Sequence, residues 1–231
     1  MKTIGLLGGM SWESTLDYYR EINQGIQARL GGFHSARILL YSVDFATVEQ
    51  FMQCGDWDGA GNHLVAAARR VEAGGADFLL ICTNTMHRVA DRVAAAVAIP
   101  LLHIADATAE ALIKDRVKKV GLLGTAFTME HDFYKGRLTD RHGLEVVVPE
   151  AADRRLVHDV IFQELCLGVV RPASKDAFLH IIERLAAAGA EAVILGCTEI
   201  GMLLTQGDTS VPLYDTTRLH AAKAVAQATE T

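Results

Sequence analysis

The feature that most constrains this chain is a pattern written twice. Ile4-Gly5-Leu6-Leu7-Gly8 returns as Val120-Gly121-Leu122-Leu123-Gly124, an offset of 116 residues. Gly75-Ala76-Asp77-Phe78-Leu79-Leu80-Ile81-Cys82-Thr83 returns as Gly189-Ala190-Glu191-Ala192-Val193-Ile194-Leu195-Gly196-Cys197, at 114. Ile99-Pro100-Leu101-Leu102 returns as Val211-Pro212-Leu213-Tyr214, at 112. Three matches in one order at a nearly constant offset, with glycine and proline punctuation kept, indicate two copies of one unit. A length of 231 residues allows one large domain or two compact ones, and the repeat selects two.

Each copy opens on a short apolar run ending in glycine, the pattern of a buried strand. A polar helix is expected next, Ser14–Leu30 in the first copy and Met129–His142 in the second. A second strand (Ala36–Val43; Leu144–Val148) leads to a helix (Gly59–Ala73; Lys175–Ala188). The third strand is Phe78–Cys82 or Ala192–Gly196, with a further helix and a short Pro-led strand beyond. Continuous apolar strands alternating with helices imply parallel sheets covered on both faces. The expected class is therefore α/β, with two pseudo-symmetric Rossmann-like or flavodoxin-like lobes, 1–115 and 116–231. The charged stretch Lys114–Lys119 reads as the linker. The final helix, within 216–231, could pack back on the first lobe; the sequence leaves this open.

Composition removes several classes of function. There are 28 Asp and Glu against 22 Lys and Arg, which leaves no basic footprint for nucleic acid. No run approaches the ~18 apolar residues of a membrane span. Trp12 and Glu13 interrupt the apolar start too early for a signal peptide, so a cytoplasmic protein is expected. Cys54, Cys82, Cys166 and Cys197 are scattered and form no CxxC pair, which argues against a disulfide framework or a zinc knuckle. No Gly-x-Gly-x-x-Gly, P-loop or HExxH pattern occurs, and the nine histidines show no metal-ligand spacing. A cofactor-free protein with a small-molecule ligand is the simplest account.

Open parallel sheets bind ligands at the carboxyl ends of their strands, and two such edges in a duplicated chain can face one another across a cleft. The first residues after the third strands are Thr83-Asn84-Thr85-Met86-His87 and Cys197-Thr198-Glu199-Ile200-Gly201. Thr83 and Cys197 occupy equivalent places in the repeat. Small polar residues in such turns can simply cap the next helix, or they can aim backbone N–H groups at an anion.

The glycine-ended first strand with Met10-Ser11, the Thr83–His87 stretch and Gly196-Cys197-Thr198-Glu199 together resemble the aspartate/glutamate racemase family across essentially the whole chain. The family pattern is Cys-Asn-Thr-x-His in one lobe and Gly-Cys-Thr-Glu in the other. Its members racemise acidic amino acids without pyridoxal phosphate, using two facing cysteines, and the resemblance also implies a homodimer. Relatives include hydantoin racemases, maleate isomerases and arylmalonate decarboxylases. A maleate isomerase or decarboxylase-like activity on a small dicarboxylic acid is thus the alternative reading, and an amino-acid-binding protein of weak or no activity is another.

Racemisation needs a base on one face of Cα and an acid on the other. A thiolate suits the first task, since an unperturbed thiol titrates near ~8.5 and a helix N-terminus lowers it. This chain departs from the family in one place: Thr83 stands where the first cysteine is expected. Cys82, one residue earlier, faces the other side of the strand and is not expected to substitute. The resemblance therefore implies Cys197 as the strong base and Thr83 as proton relay on the opposite face. Met10, Gln53, Asn84, Thr85, Thr125 and Thr198 are the candidate substrate contacts, with Gly8 and Gly9 as further backbone donors. His87 reads as a solvated first-turn histidine. His103 and Asp215, at matched strand ends, read as caps or as helpers of the acid–base groups. Cys54 and Cys166 read as a loop and a helix residue without partners.

Overall fold

The computed structural model describes residues 1–230. Its elements in chain order are β1 (Ile4–Gly8), α1 (Trp12–Leu30), β2 (Ile38–Ser42), α2 (Phe45–Cys54), α3 (Trp57–Ala73), β3 (Phe78–Ile81), α4 (Ala90–Ala95), β4 (Leu101–Leu102) and α5 (Ile104–Lys114). The order then repeats with β5 (Lys119–Gly124), α6 (Ala126–Glu130), α7 (Asp132–Gly136), β6 (Glu145–Val147), α8 (Ala151–Gln163), α9 (Pro172–Ala187), β7 (Ala192–Gly196), α10 (Ile200–Leu203), β8 (Leu213–Asp215) and α11 (Thr216–Thr229). Two four-stranded sheets result, ordered β2-β1-β3-β4 and β6-β5-β7-β8. Every strand pair is parallel. The duplication read from the sequence is thus a duplication of topology. No described helix is long and apolar enough to cross a membrane.

By its contacts the chain divides into two units, Met1–Ile104 with the segment from Thr217 on, and Ala105–Thr216. In the first, β1 and β3 are buried along their whole length. Tyr18, Ile22 and Ile26 recur every four residues on α1 and close over Ile4, Leu6, Phe78 and Leu80. Ala221, Ala224 and Ala228 of α11 complete the same cluster, the small side chains allowing a close approach. Thr231, the last residue of the expected terminal segment, lies outside the described residues.

In the second unit β7 is buried throughout and β5 from Val120 on. Gly75 and Gly189, repeat equivalents, both turn the chain with positive φ, +93° and +91°. That left-handed conformation is open to glycine at little cost, which is why the punctuation survives in both copies.

Several expected boundaries move. The unit boundary lies at Ile104/Ala105, not in Lys114–Lys119. The physical reason is α5, whose Asp106 is gripped by Arg137 through two hydrogen bonds of 2.7 and 2.6 Å and by His142 at 3.0 Å. Lys114 ends that helix and Lys119 begins β5, so no free linker separates them. The single helix expected over Met129–His142 is three short turns, α6, α7 and a π-turn at Arg137–Arg141. Thr125 caps the first, and His131 is extended (φ −92°, ψ 155°), which breaks the run. The helix expected from Gly59 starts at Trp57 under an Asp56 cap, and the one expected from Lys175 starts at Pro172, where the missing N–H costs nothing. Helices α2 and α8 precede them and were not expected.

Candidate active site

The candidate residues follow the strands at the carboxyl edge of each sheet. In the second unit Gly124 and Gly196 are register partners at the ends of β5 and β7. A Cβ on Gly124 would sit 2.8 Å from the Gly196 carbonyl oxygen, and one on Gly196 would sit 2.8 Å from the Leu123 oxygen. Glycine at both places lets the strand ends approach, so Thr125 and Cys197 leave the sheet as neighbours.

Cys197, Thr198 and Glu199 form a turn into α10, with the Ile200 N–H donating to the Cys197 carbonyl at 3.1 Å. All three are buried. The Cys197 thiol donates to Glu199 Oε2 at 2.8 Å, and the Thr198 hydroxyl donates to the same oxygen at 2.8 Å. Burial pushes the thiol well above its ordinary value. The charge of Glu199, the nearby Cys166 and the bond to the Glu199 side chain add to this, and the Glu199 backbone N–H opposes it. The expectation of a thiol lowered by a helix N-terminus is therefore corrected. Helix α10 has four residues, too few to supply a strong dipole, and a carboxylate sits directly on the sulfur. The sequence does not show Glu199 as the partner of this sulfur, although it stands only two residues from Cys197.

Cys166 lies in a short 3₁₀ turn, Leu165–Leu167, not in a helix, and its charge when ionised adds to the upward push on the Cys197 thiol. Cys54 is the exposed last residue of α2. The four cysteines are free thiols. Thr125 caps α6, its Oγ1 accepting from the Thr128 N–H at 3.3 Å. Asp215 ends β8, its carboxylate 2.7 Å from where a Cβ on Gly201 would lie.

In the first unit Thr83, Asn84 and Thr85 form the turn from β3 into a 3₁₀ segment, Thr85–Val89, and all three are buried. Cys82 belongs to the apolar cluster under β1 and β3, where burial drives its thiol far up. It is a core residue. His87 is buried, not solvated: its Nδ1 lies 2.7 Å from the Thr83 carbonyl oxygen and its Nε2 accepts from the Ile104 N–H at 3.2 Å. His103, also buried, packs its ring edge-on against His87 with centroids 4.4 Å apart.

At the end of β1, the Gly9 N–H donates to Thr15 Oγ1 at 2.8 Å, and that hydroxyl donates to the Ser11 carbonyl at 2.8 Å. The Gly9 donor expected for substrate is thus engaged within the turn. Met10 is buried in this turn. Gln53 is exposed on α2 and donates to Glu49, one helical turn earlier. Among the described residues no group of three or more His, Cys, Asp or Glu side chains is placed to hold a metal ion.

Comparison with known proteins finds the same fold in solved structures. The solved structure of a candidate Asp/Glu racemase from Yersinia pestis is 51% identical over the full length of both chains, with a TM-score of 0.93. An aspartate racemase homologue from Pyrococcus horikoshii OT3 is 37% identical, again over both full lengths, with a TM-score of 0.84. The broad specificity amino-acid racemase RacX of Bacillus subtilis is 22% identical over 228 residues, 96% of each chain. The family model for Asp/Glu/hydantoin racemases matches residues 7–224. On that match the chain belongs to the Asp/Glu/hydantoin racemase family.

Proposed function

We propose that this protein is a cofactor-independent racemase that interconverts L- and D-amino acids, with aspartate and glutamate as substrates. Cys197 and Thr83 act on opposite faces of Cα. The observation that carries the reading is the 2.8 Å contact between the Cys197 thiol and the Glu199 carboxylate. An α-proton needs a strong base, and a buried thiol in its protonated form is not one. A carboxylate in contact with the sulfur gives the thiol proton somewhere to go. The thiolate so formed takes the α-proton, and the same pair run backwards delivers one.

Thr83, whose hydroxyl is a far weaker acid, relays a proton to the other face. The two directions therefore differ in initial rate, while the equilibrium between enantiomers stays at unity. Charge developing on the substrate carboxylate is met by the donors of Asn84 and Thr85 and by the backbone N–H of Thr198, whose hydroxyl is engaged by Glu199. Thr125, Met10 and Gln53 are the remaining proposed contacts. The names of the Pyrococcus and Bacillus relatives support amino-acid racemisation, and the family likeness supports a homodimeric cytoplasmic enzyme. The test is incubation of aspartate and glutamate in deuterated water with wild type and Cys197→Ser, following Cα–H loss by NMR and chirality by chromatography. Wild type is expected to exchange and racemise, and the variant to do neither. Exchange retained by the variant would remove Cys197 from the reaction, and release of carbon dioxide without exchange would replace racemisation by decarboxylation.

A further inference from the structure

Two buried histidines from separate segments, His220 of α11 and His87 of the Thr85–Val89 turn, bracket one short stretch of backbone, Leu102-His103-Ile104, where β4 runs into α5. The hydrogen bonds of His220 and His87 assign the tautomer of each. His220 of α11 has Nε2 2.9 Å from the Leu102 carbonyl, which can only accept, so Nε2 carries the proton. Burial holds this imidazole neutral at ordinary pH, and its bare Nδ1 accepts from the Tyr18 hydroxyl at 2.8 Å. His87 is the complement. Its Nε2 faces the Ile104 N–H, which can only donate, and its Nδ1 faces the Thr83 carbonyl, which can only accept. His87 is therefore a neutral imidazole protonated at Nδ1. Its ring is held from the side by His103 at 4.4 Å and by His220 at 6.0 Å.

The bonds form one directed chain. It runs from Tyr18 in the core of α1 through His220 to Leu102, along the backbone to Ile104, through His87, and ends on the carbonyl of Thr83. A residue just past a strand end has few constraints of its own, and here its carbonyl is fixed by a ring that is itself fixed on two sides. We infer that His87 is a positioning residue for Thr83: its Nδ1–H pins the Thr83 carbonyl and so sets the direction of the Thr83 hydroxyl toward substrate. The inference rests on the proposed racemase reading, and it gives a role to a buried side chain that the proton transfers do not use.

Two variants separate the ends of the ring. In His87→Gln the amide group reaches the place of Nε2 and can still accept from Ile104, but the donor to Thr83 is gone. In His87→Asn the amide nitrogen takes the place of Nδ1 and can still hold the Thr83 carbonyl. α-Proton exchange in deuterated water is measured for each enantiomer separately, with kcat and KM. His87→Gln is expected to slow exchange at least tenfold for one enantiomer only, the one whose α-proton meets Thr83, through kcat and with KM within threefold. Exchange of the other enantiomer, through Cys197, stays within twofold, and His87→Asn recovers most of the loss. Long-range proton–nitrogen NMR of the wild type is expected to report His87 as the Nδ1–H tautomer. An Nε2–H tautomer, equal losses for both enantiomers, or a loss carried by KM overturns the role of His87 alone. A wild type that exchanges no α-proton overturns the racemase reading, and the positioning role with it.

Discussion

Cys197 Sγ and Glu199 Oε2 lie 2.8 Å apart in a buried turn, with the Thr198 hydroxyl on the same carboxylate oxygen. The pair sets both the resting state of the thiol and the route by which it is activated. A lone cysteine at a strand tip would be a weak base at neutral pH. A cysteine in contact with a carboxylate is a weaker one at rest, yet it has an acceptor for its proton within reach.

Glu199→Gln removes the negative charge that raises the thiol. The expected outcome is a shift of Cys197 alkylation toward lower pH, read by mass spectrometry of the Cys197 peptide after timed iodoacetamide treatment. α-Proton exchange is expected to fall at least tenfold in the same variant, because the proton acceptor is gone. An alkylation profile that stays put or moves upward would show that burial alone controls this sulfur.

Thr83→Cys puts a thiol at the repeat equivalent of Cys197. A thiol ionises far more readily than a hydroxyl, so near neutral pH it can give up a proton and, as thiolate, take one. The slower direction of racemisation is expected to gain at least tenfold in initial rate, with a smaller change in the faster one. Chiral chromatography from each pure enantiomer measures both. A fall in both directions would assign Thr83 to binding and not to proton transfer.

The α5 anchor makes a prediction about acid stability. Burial by itself pushes the Asp106 carboxyl up. The hydrogen bonds and charges of Arg137 and His142 outweigh it and hold the group below its ordinary value. A depressed carboxyl contributes stability that is complete above its unfolded pKa, about 3.9, and is lost as pH falls through the folded value. Asp106→Asn should therefore cost about 1–2 kcal/mol near neutral pH, discounted for partial exposure. That difference from wild type should shrink below pH ~4. Urea unfolding at a series of pH values measures it, and a difference independent of pH would mean the ion pair contributes nothing.

The repeat made the fold legible because its punctuation has physical causes that act twice. Gly75 and Gly189 share a positive φ, and Gly124 and Gly196 share a strand-to-strand approach that excludes a side chain. Thr83 and Cys197 could be named for the same reason, since each follows its own third strand. What the sequence hid depends on turns and on distant packing. Glu199 reaches Cys197 only because the turn folds residue i+2 back on the sulfur. His87 looked solvated because its partners Ile104 and His103 come from the next strand crossing. Helix α5 was hidden by its charged end, Lys114-Asp115-Arg116, which resembles a linker until Asp106 is seen in the grip of Arg137.

His220 offers the sharpest test of how the first unit is built. Burial pushes its imidazole down to about 4, against the pull of the Leu102 carbonyl bond, while the unfolded chain titrates near 6.5. Below 6.5 the unfolded state binds a proton that the folded state refuses, so stability falls as pH drops from about 6.5 to about 4. At about 1.4 kcal/mol per pH unit the loss amounts to about 3 kcal/mol. His220→Gln keeps a donor for the Leu102 carbonyl but cannot titrate. It should be less stable than wild type at pH 7, because the Tyr18 contact and the ring packing change, yet flatter with pH over this window. Denaturant unfolding of both proteins at half-unit pH steps reads the two slopes. If wild type and variant lose stability in parallel, the proton refused by the folded state is not the one on His220.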